Sequence, residues 1–256
     1  MLTMMFRSIL LMCGFGLLAV MPLTFADDTP TKTSETNVAT TPTPVSQTLT
    51  PFKISYRSEW HVGWFSFDID ASRTLKKLDN GEWELVFDAE ASVASLRETS
   101  QFTFVDGRIL PNAYKYRASG LIDEDDRTLT FKANDQTVFS DEKNKLYTDQ
   151  WQDGIQDNIT YMLQASVDLA SGQTEFEYPV FEKKNSKPFR FKVVGEEVLK
   201  TPAGKFRAVK VEQLRSDKRR QIFAWFAIDQ HYALIRMTDK KDGKTRYQID
   251  ATKLEF

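Results

Sequence analysis

From Pro51 onward, apolar and polar residues alternate along the chain with a period of two. Phe65, Phe67, Ile69 and Ala71 interleave with Ser66, Asp68, Asp70 and Ser72, so an extended segment here has one apolar and one wet face. Asn80-Gly81 follows, a pair that accepts the positive φ of a tight hairpin turn. Trp83, Leu85, Phe87, Ala89, Ala91 and Val93 then repeat the alternation on the way back. The pattern predicts two long antiparallel strands whose apolar faces lie on one side and form a curved wall.

Shorter runs recur at close intervals. Residues 102–105 end at Asp106-Gly107, residues 113–119 carry Tyr114, Tyr116 and Ala118 on one face, and Leu129, Phe131 and Ala133 lead through Asn134-Asp135 to 137–140. Further runs cover 175–181, 189–194, 206–214, 219–228, 234–239 and 246–256, with Asp242-Gly243 joining the last two. Short strands punctuated by turn residues predict a mainly β fold, an antiparallel half-barrel or barrel. One segment departs from this period. Ile155, Ile159, Met162, Leu163 and Leu169 recur at helical spacing between Asp153 and Ser171, with Asp153 placed as N-cap and Gly172 as C′ residue. This predicts one amphipathic helix lying against the open face of the sheet.

The first residues follow another rule. Arg7 precedes an apolar run over 8–20, and Thr24-Phe25-Ala26 sets small residues at the two positions a signal peptidase reads. Residues 1–26 are therefore expected to be a cleavable secretory signal, with the periplasm as destination; an uncleaved membrane anchor is the alternative. Residues 27–50 are rich in Thr, Pro and Ser and cannot bury enough surface to order themselves, which predicts a disordered linker before a single domain over 51–256. The only cysteine, Cys13, lies in the leader behind Met12, where a lipoprotein site needs a small residue. The mature chain then has no disulfide, thiol nucleophile or thiolate metal ligand.

Charge adds one exclusion. With 34 Lys+Arg against 36 Asp+Glu the net charge is −2, which gives no support to a nucleic-acid partner. Candidate chemistry is equally sparse. Ser119, in Arg117-Ala118-Ser119-Gly120, lacks the first glycine of a nucleophile elbow. His61 and His231 stand beside aromatic or apolar strand residues, and no zinc-ligand spacing is present. The acidic run 123–126 lacks the central glycine of a calcium loop and reads as a solvated turn. Asn158-Ile159-Thr160 matches the N-glycosylation pattern but falls inside the predicted helix. No phosphate loop or dinucleotide fingerprint occurs. The expectation is a non-enzymatic protein without metal or cofactor.

Two features remain. The 19 Phe, 8 Tyr and 5 Trp crowd the inner faces, either as core or as the lining of a groove for a lipid-like ligand. For the groove, Phe65, Phe67, Trp83 and Phe87 are the candidate ligand-binding residues. Basic clusters occupy three loop tips: Lys183-Lys184 with Lys187, Lys218-Arg219-Arg220, and Lys240-Lys241 with Lys244. On one rim they would suit an anionic headgroup or peripheral membrane contact.

Residues 197–206, Glu-Val-Leu-Lys-Thr-Pro-Ala-Gly-Lys-Phe, followed by Ala208-Val209-Lys210-Val211 and Trp225-Phe226-Ala227, resemble the exported bacterial family of unknown function, domain 3108. Asp157-Asn158-Ile159-Thr160-Tyr161 resembles a segment of the same family. The resemblance implies a mostly antiparallel β fold in the Gram-negative cell envelope and carries over no catalytic residue. The architecture is also similar to the half-barrels of periplasmic lipoprotein carriers, where a curved sheet holds acyl chains under helical lids. Three readings stay open: a carrier of a hydrophobic or amphiphilic ligand, an envelope interaction or assembly factor with a filled core, and a hydrolase without a recognisable motif. The oligomeric state is not legible.

Overall fold

The structure is a computed structural model that describes residues 48–62, 65–122 and 124–256, with backbone alone for 59–62 and 65–67. The expected signal, 1–26, and the expected linker as far as residue 47 lie outside the described residues; Leu49 packs against the core. The strands are β1 (Phe52–Val62), β2 (Phe65–Lys77), β3 (Trp83–Ala91), β4 (Ala94–Val105), β5 (Arg108–Gly120), β6 (Arg127–Lys132), β7 (Thr137–Ser140) and β8 (Lys145–Tyr147). One helix, α1 (Thr160–Ala170), precedes β9 (Glu175–Phe181), β10 (Ser186–Thr201), β11 (Gly204–Leu214), β12 (Arg220–Ala227), β13 (Ala233–Lys241) and β14 (Lys244–Glu255).

All fourteen strands form one antiparallel sheet in the order β8-β7-β6-β5-β4-β3-β2-β1-β14-β13-β12-β11-β10-β9. Two meanders therefore run outward from a central seam where β1 pairs with β14. The period-two pattern is thus realised as an open, mainly β sheet consistent with a half-barrel. Its edges, β8 and β9, approach each other through side chains: Phe181 packs edge-on against Tyr147 at 5.3 Å and against Phe131 at 6.3 Å. The alternating strand direction puts the β1–β2, β9–β10, β11–β12 and β13–β14 connections at one end, called here the upper end. The β2–β3, β4–β5 and β10–β11 turns lie at the lower end.

The helix differs from its sequence pattern. Nine of its residues are buried rather than one stripe. Ile159 and Leu163 belong to a cluster with β2–β8, whereas Tyr161, Met162, Ala165 and Leu169 pack with β9–β13, so the two halves of the curled sheet close on opposite sides of α1. Its start also moves from Asp153 to Thr160. The Asp157 carboxylate accepts the N–H groups of Ile159 at 3.0 Å and Thr160 at 2.9 Å, while Gln156 bridges Val180 of the edge strand β9. The C-terminus ends as expected: Gly172 has φ +85, and Gln173 N–H donates to the Asp168 carbonyl at 3.0 Å, the outer bond of a Schellman motif.

The turns divide by chemistry. Asp106-Gly107 and Asp242-Gly243 have positive φ at both residues, as two-residue hairpin turns require. At Asn80-Gly81 only Gly81 is positive, at +86. The loop is longer, closed by Gly81 N–H to the Leu78 carbonyl at 3.0 Å and Leu78 N–H to the Glu82 carbonyl at 2.8 Å. The Asn80 side chain accepts the Glu82 N–H at 3.1 Å across this loop. Val93 is not part of β3 but of the turn into β4, which pairs Ala94 back onto Ala91.

Candidate functional site

The register sets the candidate residues on one face. Lys77 pairs with Trp83, Arg73 with Phe87 and Ala71 with Ala89, so odd-numbered residues of β2 and β3 share the inner side of the sheet. Phe65 and Phe67 have the same parity, opposite Val62 and Trp60 of β1. The four positions nevertheless do not meet. Ten residues separate Phe67 from Lys77, roughly 33 Å of extended chain. Trp83 is buried at the lower end, bordering a broad open depression of about 1760 Å³ with Phe104, Leu110 and the α1 residues Gln164 and Asp168. Phe87 is half-buried and lines a small apolar notch of about 20 Å³ with Tyr56, Ile69, Ala71, Ala89 and Ile249.

Beyond the notch the hairpin outruns its neighbours. The last pair joining β1 to β14 is Arg57 with Asp250, and the last joining β2 to β3 is Asp70 with Glu90. β1 and β2 go on pairing with each other, from Ser58–Ile69 through Trp60–Phe67 to Val62–Phe65. This stretch is a two-stranded ribbon with no hydrogen-bonded strand beside it among the described residues. Cross-strand partners share a face, which places Trp60, Val62, Phe65 and Phe67 on one side and Glu59, His61, Ser66 and Asp68 on the other. By register, the positions of Trp60, Val62, Phe65 and Phe67 follow on from those of Ile69 and Ala71 on the same face.

A second cluster lies at the start of α1. Tyr114 donates its hydroxyl to the Glu98 carboxylate, Asn158 Nδ2 donates to the Tyr114 oxygen at 3.0 Å, and Ser100 donates to Asp157 at 2.5 Å. Burial pushes the Glu98 carboxyl up to about 7 and raises that of Asp157 as well. Arg127 stacks on the Tyr116 ring, 4.1 Å from its centre. The Ser100–Asp157 and Tyr114–Asn158 bonds clamp the start of the helix to β4 and β5. Asn158, committed to Tyr114, is no exposed glycan acceptor. Glu98 was hidden in the sequence because residues 97–101 read as polar; its signal is the inward parity it shares with Leu96 and Ser100.

The remaining candidates resolve individually. Ser119 Oγ lies 2.8 Å from Ser95 Oγ, another hydroxyl rather than a base. Gly120 beside it has φ +73, and a Cβ there would fall 2.2 Å from the Val93 carbonyl oxygen. The His231 ring packs on Phe256 at 5.2 Å, and the His61 side chain lies outside the described residues. In the acidic run, Glu124 pairs with Lys183 at 2.7 Å and Asp126 with Arg117 at 3.4 Å. No group of three potential metal-ligating side chains assembles among the described residues.

All three basic clusters fall at the upper end. Lys183 and Lys187 are paired there with Glu124 and Glu182, both at 2.7 Å. The other two are joined by Asp242 N–H donating to the Arg219 carbonyl at 2.8 Å. By strand direction, the exposed Lys218, Lys241 and Lys244 lie at the same end of the sheet as the β1–β2 ribbon.

Residues 51–250 match the family of proteins of unknown function DUF3108. The chain belongs to that family. In this DUF3108 chain the resembling segments have structural roles. Pro202 and Ala203 form the β10–β11 turn, which folds back so that Ala203 N–H donates to the Ala251 carbonyl at 3.0 Å. Trp225 donates its indole N–H to Glu197 at 2.5 Å over the same cluster, and Asp157-Asn158 supply the helix clamp. No curated protein matches the DUF3108 chain in sequence.

Among solved structures it is similar to a β-barrel-like protein of the unknown-function family DUF1849 from Brucella abortus, at 11% identity and TM-score 0.51, covering 81% of this chain and 98% of that one. A DUF1329 family protein from Desulfovibrio piger aligns at 9% identity and TM-score 0.26 over 80% and 85% of the two chains. A porin-like protein from Bacteroides uniformis aligns at 10% and 0.28 over 79% and 96%. The first likeness concerns the fold alone; the other two carry no argument.

Proposed function

We propose that this DUF3108 protein is a non-enzymatic periplasmic binding protein that holds a hydrophobic or amphiphilic, lipid-like ligand on its inner face. The observation that carries this reading is the β1–β2 ribbon, which sets Trp60, Val62, Phe65 and Phe67 on one side beyond the last strand pairing with β14 and β3. Apolar residue types at four register positions beyond the neighbouring strands support a surface that a hydrophobic ligand would cover. The ligand surface is therefore the upper part of the inner face, notch and ribbon together, with Phe65, Phe67 and Phe87 but without Trp83.

Saturable uptake of the uncharged dye N-phenyl-1-naphthylamine, displaced by lipid and weakened by Phe67→Ser, is the expected result. Absence of uptake by the wild-type protein removes this reading. The second reading, an envelope interaction factor with a filled core, is favoured by α1, buried between both halves of the sheet. It predicts no dye uptake and capture of a protein partner instead.

A further inference from the structure

Arg73 lies on the inner face of β2, opposite Ile54 of β1 and Phe87 of β3. Only 6% of it is exposed, and its Nη2 atom has no hydrogen-bond partner. Its polar neighbour is the Tyr56 hydroxyl, which itself donates to the Leu234 carbonyl at 2.8 Å. Among the described residues no carboxylate forms an ion pair with Arg73. A guanidinium taken out of water without a counter-charge is strongly disfavoured, whereas one met by a carboxylate or phosphate forms a two-pronged, charge-assisted pair. The protein thus maintains a buried cation where apolar side chains would pack more cheaply.

The surroundings indicate what answers it. Phe87, which faces Arg73 across the β2–β3 pair, and Ala71, the next inward residue of β2, line the notch with Ala89; Arg73 sits just behind this lining. From there the same face of β2 runs through Ile69 and Phe67 to Phe65 on the ribbon. Arg73 and Phe65 are eight residues apart, about 26 Å of extended strand, a span suited to a long acyl chain. We propose that Arg73 anchors the anionic group, carboxylate or phosphate, of an amphiphile whose apolar chain lies along the inner face from the notch to the ribbon. The inference rests on the ligand-binding reading above and specifies its ligand as a single-headed anionic amphiphile.

The test uses the full-length protein purified from the periplasm and displacement of N-phenyl-1-naphthylamine by oleate, methyl oleate, oleyl phosphate and inorganic phosphate. The wild type should release the dye to oleate and oleyl phosphate at least about tenfold more readily than to methyl oleate, the scale of a charged hydrogen bond. Inorganic phosphate should not displace it. Arg73→Met should take up the dye normally and lose the preference for acid over ester, with no fall in melting temperature, since it removes an uncompensated buried charge. Arg73→Lys should keep part of the preference and guards against a folding defect in the first variant. Equal displacement by oleate and methyl oleate, or an unchanged preference in Arg73→Met, overturns the assignment while leaving ligand binding intact. Displacement by inorganic phosphate alone overturns the amphiphile in favour of a free-anion site. No dye uptake by the wild type removes the ligand-binding reading, and this inference with it.

Discussion

Glu98 is held among Tyr114, Asn158 and Asp157, and burial raises its carboxyl from an ordinary value of 4.5 to about 7. The folded chain therefore keeps a proton there that the unfolded chain has lost. Its stabilising effect is complete below about 4.5 and declines progressively as the pH rises to about 7, a difference on the order of 3 kcal/mol. Asp157, also raised by burial, acts in the same direction. Thermal melts of the wild type should fall between pH 5 and pH 8, and Glu98→Gln should flatten that profile; an unchanged slope in the variant would place the titrating group elsewhere. Both Glu98 and Arg73 illustrate what a period-two reading misses. Each occupies an inward position, Glu98 between Leu96 and Ser100 and Arg73 between Ala71 and Leu75, so parity could have found them. A charged residue in a strand is nevertheless assigned to the wet face by default, and only the register shows that these two are turned inward.

Strands were legible wherever apolar residues alternate, as in β3 and β9, or run on, as in β12, and the turns between them wherever glycine was required. What escaped has local causes. β10 extends to sixteen residues because a bulge at Val193/Gly195 lets the strand bend and continue through a stretch with few apolar residues. The helix start moved because the same spacing of Ile155 and Ile159 serves an edge bridge before the helix proper. At the β2–β3 loop the turn type differs from the simple rule, yet Gly81 still carries the left-handed residue. A Cβ at Gly81 meets no atom within 4 Å, so Gly81→Val acts through backbone conformation alone. The expected loss is about 1–2 kcal/mol, measured by denaturant midpoint at unchanged slope. An unaltered midpoint would contradict the positive φ at this position.

At the scale of the whole molecule, the fold class was readable from the pattern, but the spatial grouping of the candidate residues was not, because strand order decides which residues become neighbours. Phe65 and Trp83 look equivalent in the sequence and lie toward opposite ends of one face. Lys218 and Lys244 look unrelated, yet their turns are hydrogen-bonded together at the upper end. With apolar and basic groups combined at the upper end, the protein should co-sediment with vesicles containing phosphatidylglycerol and not with phosphatidylcholine alone. Each lysine near such a surface contributes about 1 kcal/mol, so reversing Lys218, Lys241 and Lys244 to Glu should weaken the association at least about a hundredfold. Rising salt should do the same to the wild type; equal binding to both vesicle types would exclude an electrostatic contact.

The central seam has a consequence for how the chain is made. Every strand pair but one joins neighbours along the sequence, and the exception brings Lys53 against Glu255. Each meander can zip up from local contacts as it emerges, since such pairings carry little loop-closure cost. The seam cannot form until the final strand arrives. Until β14 is made, the growing domain is therefore two unjoined half-sheets, with β1 waiting as an open template for a partner about two hundred residues away.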